Sequence, residues 1–289
     1  PSFSGTFFSA RNESTRQDAP RKFARRRMNR LFPSSFRCDI IYSTNAHIVE
    51  ASYVTKKHLF FVRHGKTEWN GQYRFQGKSD ISLNEEGRLQ AQSLASRLSG
   101  WSGVRILTSP LSRALETSAI IAAACGAVAE PQEGLSEMGF GAWEGRSIFE
   151  TETSDPQAFR EWKNNPFKFV PPGGEGFPEI QGRLLPVLDE ALSSVQERIL
   201  LISHGGIIRA ALSLLLDLSQ ESVWRMKLSN CSVTAVESGK RGTSLVFLND
   251  DIHTVLPAAI LPNLPFPLRQ EGLLLVEFTG IRYEGVCMP

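Results

Sequence analysis

Short apolar runs alternate along this chain with longer stretches whose apolar residues recur at helical spacing, the pattern of an α/β protein. His58-Leu-Phe-Phe-Val62, Val104-Arg-Ile-Leu-Thr108 and Arg198-Ile-Leu-Leu-Ile-Ser203 read as strands. They carry continuous apolar stretches, which predicts burial on both faces and hence a parallel sheet under two helix layers. Asn84 is a good N-cap for a helix from Glu85 to about Leu98, with apolar Leu89, Leu94 and Leu98 and small Ala91 and Ala95. Ser109 is expected to cap a second helix with Pro110 at its first position, running to about Ala124 and stopped by Gly126. Further helices are predicted over Phe177–Gln196, with Pro186 as a kink, and over Ile207–Leu216. Between Glu130 and Glu175 a Gly- and aromatic-rich stretch predicts one helix, about Pro156–Asn164. Strands at Ser232–Glu237 and Thr243–Leu248 close the pattern near Val255. The expected architecture is an α/β fold, a three-layer α/β/α sandwich with a mostly parallel central sheet.

Length and charge divide the chain. Its 289 residues can hold one generous α/β domain with extensions or two small domains, and the reading is a basic arm over 1–55, a folded domain over 56–255 and a C-terminal extension over 256–289. Residues 1–57 hold 11 Lys/Arg against 4 Asp/Glu, whereas the remainder holds 21 against 26. The domain itself is therefore mildly acidic, which argues against nucleic acid as its main partner. No apolar run reaches the length of about eighteen residues that a membrane span needs, so no membrane partner is expected. The Arg- and Ser-rich arm resembles an organellar transit peptide, with a disordered arm or upstream untranslated sequence as the alternatives. Met28 and Val54 are alternative starts. A cytoplasmic location is the default, and an organelle follows if residues 1–55 are a transit peptide. The four cysteines, Cys38, Cys125, Cys231 and Cys287, share no metal-type spacing and fit a reducing compartment. The apolar Leu273–Phe278 predicts at most one added strand.

Three strand ends carry the candidate chemistry. Arg63 and His64 follow the first strand, Arg113 lies just after the second, and His204 follows Ser203. If these strands run parallel, their carboxyl ends share one crevice, where ligands of open α/β sheets bind. Two of the places are also helix starts, which favour an anion. Two imidazoles and two guanidiniums at helix starts describe a phosphate pocket and oppose a divalent cation, so no metal and no cofactor are expected. A transferring phosphoryl group spreads negative charge over its oxygens, and arginine forks match those oxygens. A neutral imidazole can attack phosphorus, while the leaving alkoxide needs a proton from a nearby carboxylic acid.

These residues fall in blocks. Phe61-Val-Arg63-His64-Gly65-Lys66-Thr67-Glu68-Trp69-Asn70, Gln76-Gly77-Lys-Ser-Asp80, Leu83-Asn84-Glu-Glu-Gly87 and Ser109-Pro-Leu-Ser-Arg113-Ala-Leu-Glu-Thr117 come first. Leu135-Ser-Glu137-Met-Gly-Phe-Gly-Ala-Trp143-Glu144-Gly145, Pro172-Gly-Gly-Glu175 and Ser203-His204-Gly205-Gly206-Ile-Ile-Arg209 follow in order. Together they resemble the histidine phosphatase, or phosphoglycerate mutase-like, superfamily, in particular its α-ribazole-phosphatase and broad-specificity branch. The resemblance implies that His64 is the phosphorylated nucleophile and Glu137 the proton donor, with Arg63, Arg113 and His204 holding the phosphate. It places Thr67, Asn70, Gln76, Gly77 and Gly205 around the substrate. The implied partner is a small-molecule phosphate ester, and a homodimer is an admissible assembly. Two positions depart from the usual pattern: Lys66 stands where Glu or Gln is common, and Gly176 replaces a frequent Ser.

The resemblance leaves three activities open: a phosphatase, a phosphoglycerate mutase using the same phosphohistidine, and a non-catalytic phospho-ligand binder. Mutases of this type usually carry a basic pair in the insertion after the acid. Residues 138–170 offer only scattered Arg146, Arg160, Lys163 and Lys168, which favours the phosphatase. Glu133 and Glu144 are rival acids to Glu137. Asp80 is expected to hold a loop, and His47, His58 and His253 to be structural. Phe140, Trp143, Phe149, Phe159, Trp162 and Phe167 read most simply as core, or else as an apolar lid over the phosphate.

Overall fold

The structure, a computed structural model, describes residues 56–256, 258–263 and 266. The N-terminal arm and the strand expected near Leu273–Phe278 lie outside them. Six strands form one sheet in the order β3-β2-β4-β1-β5-β6. They are β1 (Lys57–Arg63), β2 (Val104–Thr108), β3 (Ala129–Pro131), β4 (Arg198–Ser203), β5 (Val233–Gly239) and β6 (Gly242–Asp250). Pairing is parallel from β3 through β1, while β5 runs antiparallel to both β1 and β6. The register of β1 on β4 sets Val62 opposite Ile202 and Arg63 opposite Ser203, so the two carboxyl ends finish level.

Alternate residues of the central strands feed two cores, which makes the three layers. Leu59, Phe61, Leu107, Ile199 and Leu201 face α6 (Phe177–Leu192) and α7 (Gly205–Leu216). Phe60, Val62, Ile106, Leu200 and Ile202 face α2 (Glu85–Arg97) and α3 (Ser112–Cys125). Sandwiching one parallel sheet between helices buries both apolar faces at once, which explains the unbroken apolar runs. Packing continues past Val255: Leu261 and Phe266 are buried, and the Phe266 ring lies 3.8 Å beneath the Arg97 guanidinium.

Several elements depart from the sequence reading. The helix α3 begins at Ser112, with Leu111 as its N-cap and no cap from Ser109. The Ser109 hydroxyl accepts from His204 Nε2 at 2.7 Å and from the Leu111 N–H, ahead of the helix, at 3.3 Å, while Asp80 supplies the acceptors for the first turn from another loop. Its carboxylate takes the Ser112 N–H at 2.7 Å and the Ser112 hydroxyl at 2.6 Å, bearing out its loop-holding role. The helix α6 stops at Leu192, four residues early, as Lys57 Nζ draws in the Ser194 carbonyl at 2.6 Å. The helix α5 (Pro156–Asn164) forms where the sequence predicts it, whereas the strand β3 and three short helices, α1 (Glu68–Gly71), α4 (Ile148–Ser154) and α8 (Gln220–Trp224), were not legible as patterns. Of the six insertion aromatics singled out above, Phe140, Trp143, Phe159 and Phe167 are core, whereas Phe149 is 66% exposed and corrects the core assignment there.

Candidate active site

The strand β1 ends at Arg63 and delivers that residue and the next, His64, to the crevice. The His64 N–H continues the ladder to the Ser203 carbonyl at 2.9 Å, so the imidazole is fixed on the end of a rigid sheet. Its Nδ1 lies 2.7 Å from the Gly65 carbonyl. A carbonyl only accepts, so Nδ1 carries the proton and Nε2 keeps its lone pair. Burial, then Arg113 and Arg63, hold the His64 pKa well below the usual histidine value, so the ring is neutral near pH 7. The carbonyl of His64 accepts from Asn230 Nδ2 at 3.0 Å. Cys231, at a positive φ of 56°, sends its N–H to the Arg63 and His64 carbonyls at 2.9 and 3.3 Å.

The second imidazole faces the first, with ring centroids 5.0 Å apart. His204 is the N-cap residue of α7 and completely buried. Arg113 Nε donates to its Nδ1 at 3.2 Å, which leaves Nε2–H to donate to Ser109 Oγ. Burial, then Arg113, hold the His204 pKa well below the usual value as well.

Two guanidiniums supply the positive charge beside the neutral imidazoles. Arg113, on the first turn of α3, donates from its terminal nitrogens to the Ser79 and Gly77 carbonyls, both at 2.8 Å. Burial pushes its pKa down to about 10, which leaves it cationic at neutral pH. Arg63 donates to the Leu228 carbonyl at 2.6 Å, and its buried Nε has no hydrogen-bond partner among the described residues.

The carboxylate of Glu137 reaches into the same space. It accepts from the N–H of Met138 at 2.9 Å and from that of Gly206, in the first turn of α7, at 3.3 Å. Its negative charge acts on Arg63, Arg113 and Arg209 together, which places it centrally among the cations. A Cβ on Gly206 would stand 2.6 Å from Glu137 Oε1, so glycine is needed there for the acid to approach the helix start. The segment bearing Glu137 is pinned by Arg183. Arg183 forks onto Glu175 at 2.7 and 2.9 Å and donates to the Gly134 and Glu137 carbonyls. Of the rival acids, Glu133 is exposed and bonded to its neighbour Ser136 at 3.5 Å, and Glu144 is saturated by loop donors.

The sequence-predicted lining residues divide. Thr67 is buried and forms a capping box with Asn70 at the start of the Glu68–Gly71 helix. Asn70 Oδ1 also receives Asn230 Nδ2 at 3.3 Å, which links it to the nucleophile's own carbonyl. Gln76 is largely buried, with an Oε1 lacking a partner among the described residues. Gly77 serves Arg113 through its carbonyl, and Gly205 opens α7. Lys66 points outward to Glu86 at 2.6 Å. Sequence reasoning missed Asn230 and Arg183. Arg183 sits on an amphipathic helix like any solvated cation, and Asn230 precedes a strand with no motif around it.

A neutral imidazole with a free lone pair, set among buried guanidiniums and beside a carboxyl group, defines a phosphoryl-transfer protein built on an α/β sandwich. The chain belongs to the histidine phosphatase superfamily (branch 1), whose sequence profile matches residues 59–251. A Hydrogenobacter thermophilus protein named as a candidate phosphoserine phosphatase is 31% identical over 198 residues, covering 68% of this chain and 98% of its own. A Yersinia pestis protein named as a candidate phosphoglycerate mutase, GpmB, is 34% identical over 206 residues, covering 69% and 96%. Among solved structures, Bacillus stearothermophilus YhfR superposes with a TM-score of 0.64 at 30% identity, covering 68% of this chain and 99% of that one. The Shigella flexneri α-ribazole phosphatase gives 0.60 at 27% identity, covering 67% and 96%.

Proposed function

We propose that the protein hydrolyses small-molecule phosphate monoesters through a phosphohistidine on His64, with Glu137 as general acid and no metal ion. The observation that carries this reading is the His64 tautomer: Nδ1 is tied to the Gly65 carbonyl, leaving Nε2 free in a ring kept neutral by burial and two arginines. In the first step Nε2 forms the N–P bond as the P–O bond to the alcohol breaks, and the Glu137 proton passes to the leaving oxygen. In the second, water attacks phosphorus as the N–P bond breaks and its electron pair returns to His64 Nε2; the water gives a proton back to Glu137 and inorganic phosphate leaves. Arg63 and Arg113 set positive charge around the phosphoryl oxygens, where fixed charge counts for more than in water, and neutral His204 orients Arg113 through its Nδ1. The family resemblance and the phosphatase names among the relatives support the same reading.

A mutase is the second reading, favoured by the name of the Yersinia relative. It needs the phosphoryl group returned to a bound glycerate, and the scattered cations of residues 138–170 offer no evident grip for the second charge. Incubation of the protein with 3-phosphoglycerate separates the two: free phosphate is expected, and 2-phosphoglycerate as the main product overturns the hydrolase. A broad panel of monoesters, assayed with and without chelator, tests the rest. No phosphate release from any member, or complete loss with chelator, overturns the scheme.

A further inference from the structure

Glu144 lies outside the set of groups that would touch phosphate, yet it holds two active-site segments together. Its Oε2 accepts the Ser79 N–H at 2.9 Å and the Ser79 hydroxyl at 2.7 Å. Its Oε1 accepts the Lys78 N–H at 3.1 Å and the Phe140 N–H at 3.0 Å. The first three donors belong to the 76–80 loop, whose Gly77 and Ser79 carbonyls receive both terminal nitrogens of Arg113. The fourth belongs to the segment that begins with Glu137. The carboxylate packs directly against the loop backbone. A Cβ on Gly77, which has a φ of +56°, would lie 2.2 Å from Glu144 Oε1. Only an ionised carboxylate offers acceptors alone on both oxygens; an amide would turn donors toward at least one of these N–H groups.

We propose that Glu144 is a positioning residue: by fastening the 76–80 loop to the Glu137 segment, it sets where the Arg113 guanidinium meets the phosphoryl oxygens. Hydrogen bonds to a charged acceptor are about twice as strong as neutral ones, so the fastening is stiff. The negative charge also acts on Arg113 itself, alongside Glu137 and Asp80. Glu144 thus couples the cation that binds the oxyanion to the acid that protonates the leaving group. The inference rests on the phosphatase reading above.

The test compares wild type, Glu144→Gln and Ser79→Ala, each first checked for folding by thermal melting. Ser79→Ala removes one of the four bonds and is the milder probe. Two readouts are taken well below the melting temperature: calorimetric binding of orthovanadate, and kcat and KM for p-nitrophenyl phosphate. Glu144→Gln is expected to weaken vanadate about 10- to 100-fold and to lower kcat/KM by a similar factor, with Ser79→Ala a few-fold in the same direction. A role in stability alone would lower the melting temperature and leave the vanadate affinity of the folded protein unchanged, and that result overturns the proposal. Should Glu144→Gln fail to fold, a folded Ser79→Ala with wild-type vanadate affinity overturns it equally. Wild type that binds vanadate yet turns over no monoester defeats the hydrolase reading alone, whereas wild type that binds no vanadate defeats both.

Discussion

The rings of His64 and His204 stand 5.0 Å apart and tilted by 55°, each locked by bonds from outside the pair. Gly65 fixes one tautomer, and Arg113 with Ser109 fixes the other. The consequence is a pair of imidazoles that are both neutral yet surrounded by positive charge. The His64 nucleophile is thus unprotonated at Nε2 before any phosphoryl group arrives.

Mutation of that nucleophile is the most direct check. His64→Ala is expected to abolish turnover and, with it, an acid-labile, base-stable phosphoryl label from radioactive substrate. Labelling that survives the substitution would place the covalent intermediate elsewhere.

The acid has its own signature. Glu137→Gln should lower kcat about 10²–10⁴-fold on alkyl phosphates, whose leaving groups need a proton, and much less on p-nitrophenyl phosphate. Gly206→Ala should reproduce that selectivity, because its new Cβ would meet Glu137 Oε1 at 2.6 Å and Met138 Sδ at 2.8 Å. Equal losses on both substrates for both variants would remove Glu137 from the role.

Acid should destabilise the fold before most carboxylates titrate. His253 is buried, donates from Nε2 to the Cys231 carbonyl at 3.0 Å and faces Arg97 at 3.3 Å. Burial, then Arg97, push its pKa down from 6.5 to about 4. The unfolded chain therefore binds more protons than the native one between those values. The stabilisation is complete above pH 6.5 and is lost as pH falls toward 4, to a total of about 3 kcal/mol. His64 and His204 act with the same sign. Urea midpoints at pH 7 and 5.5 should fall for wild type and fall less for His253→Gln; identical slopes would contradict the assignment.

The aromatic insertion divides by burial. Trp143→Ala should cost about 3–5 kcal/mol, because the indole is 2% exposed and packs on Phe75, Trp162 and Phe169. Phe149→Ala, at an exposed site, should stay within about 0.5 kcal/mol. Chemical denaturation of both variants measures the contrast.

Much of this was readable before any coordinates. The apolar runs at His58–Val62 and Arg198–Ser203 announced buried parallel strands, and the blocks around Arg63, Arg113, Glu137 and His204 announced a phosphate site. The boundaries that misled did so for one reason. Ser109 has the local chemistry of an N-cap, but its hydroxyl finds a stronger use against His204, and Asp80 takes over the cap across 32 residues of sequence. Glu144 was legible only as a rival acid because its four donors come from two loops that no spacing rule connects.

Sequence alone determined which residues could do the chemistry and which segments must be buried, since side-chain type and apolar periodicity are local properties carried by the chain itself. Tertiary structure alone decided which nitrogen of each imidazole is free, which carboxyl group stands among the cations and which is spent on holding loops. Those outcomes depend on hydrogen-bond partners and burial contributed by residues far apart in sequence, and such partners exist only once the sheet has brought its strand ends together.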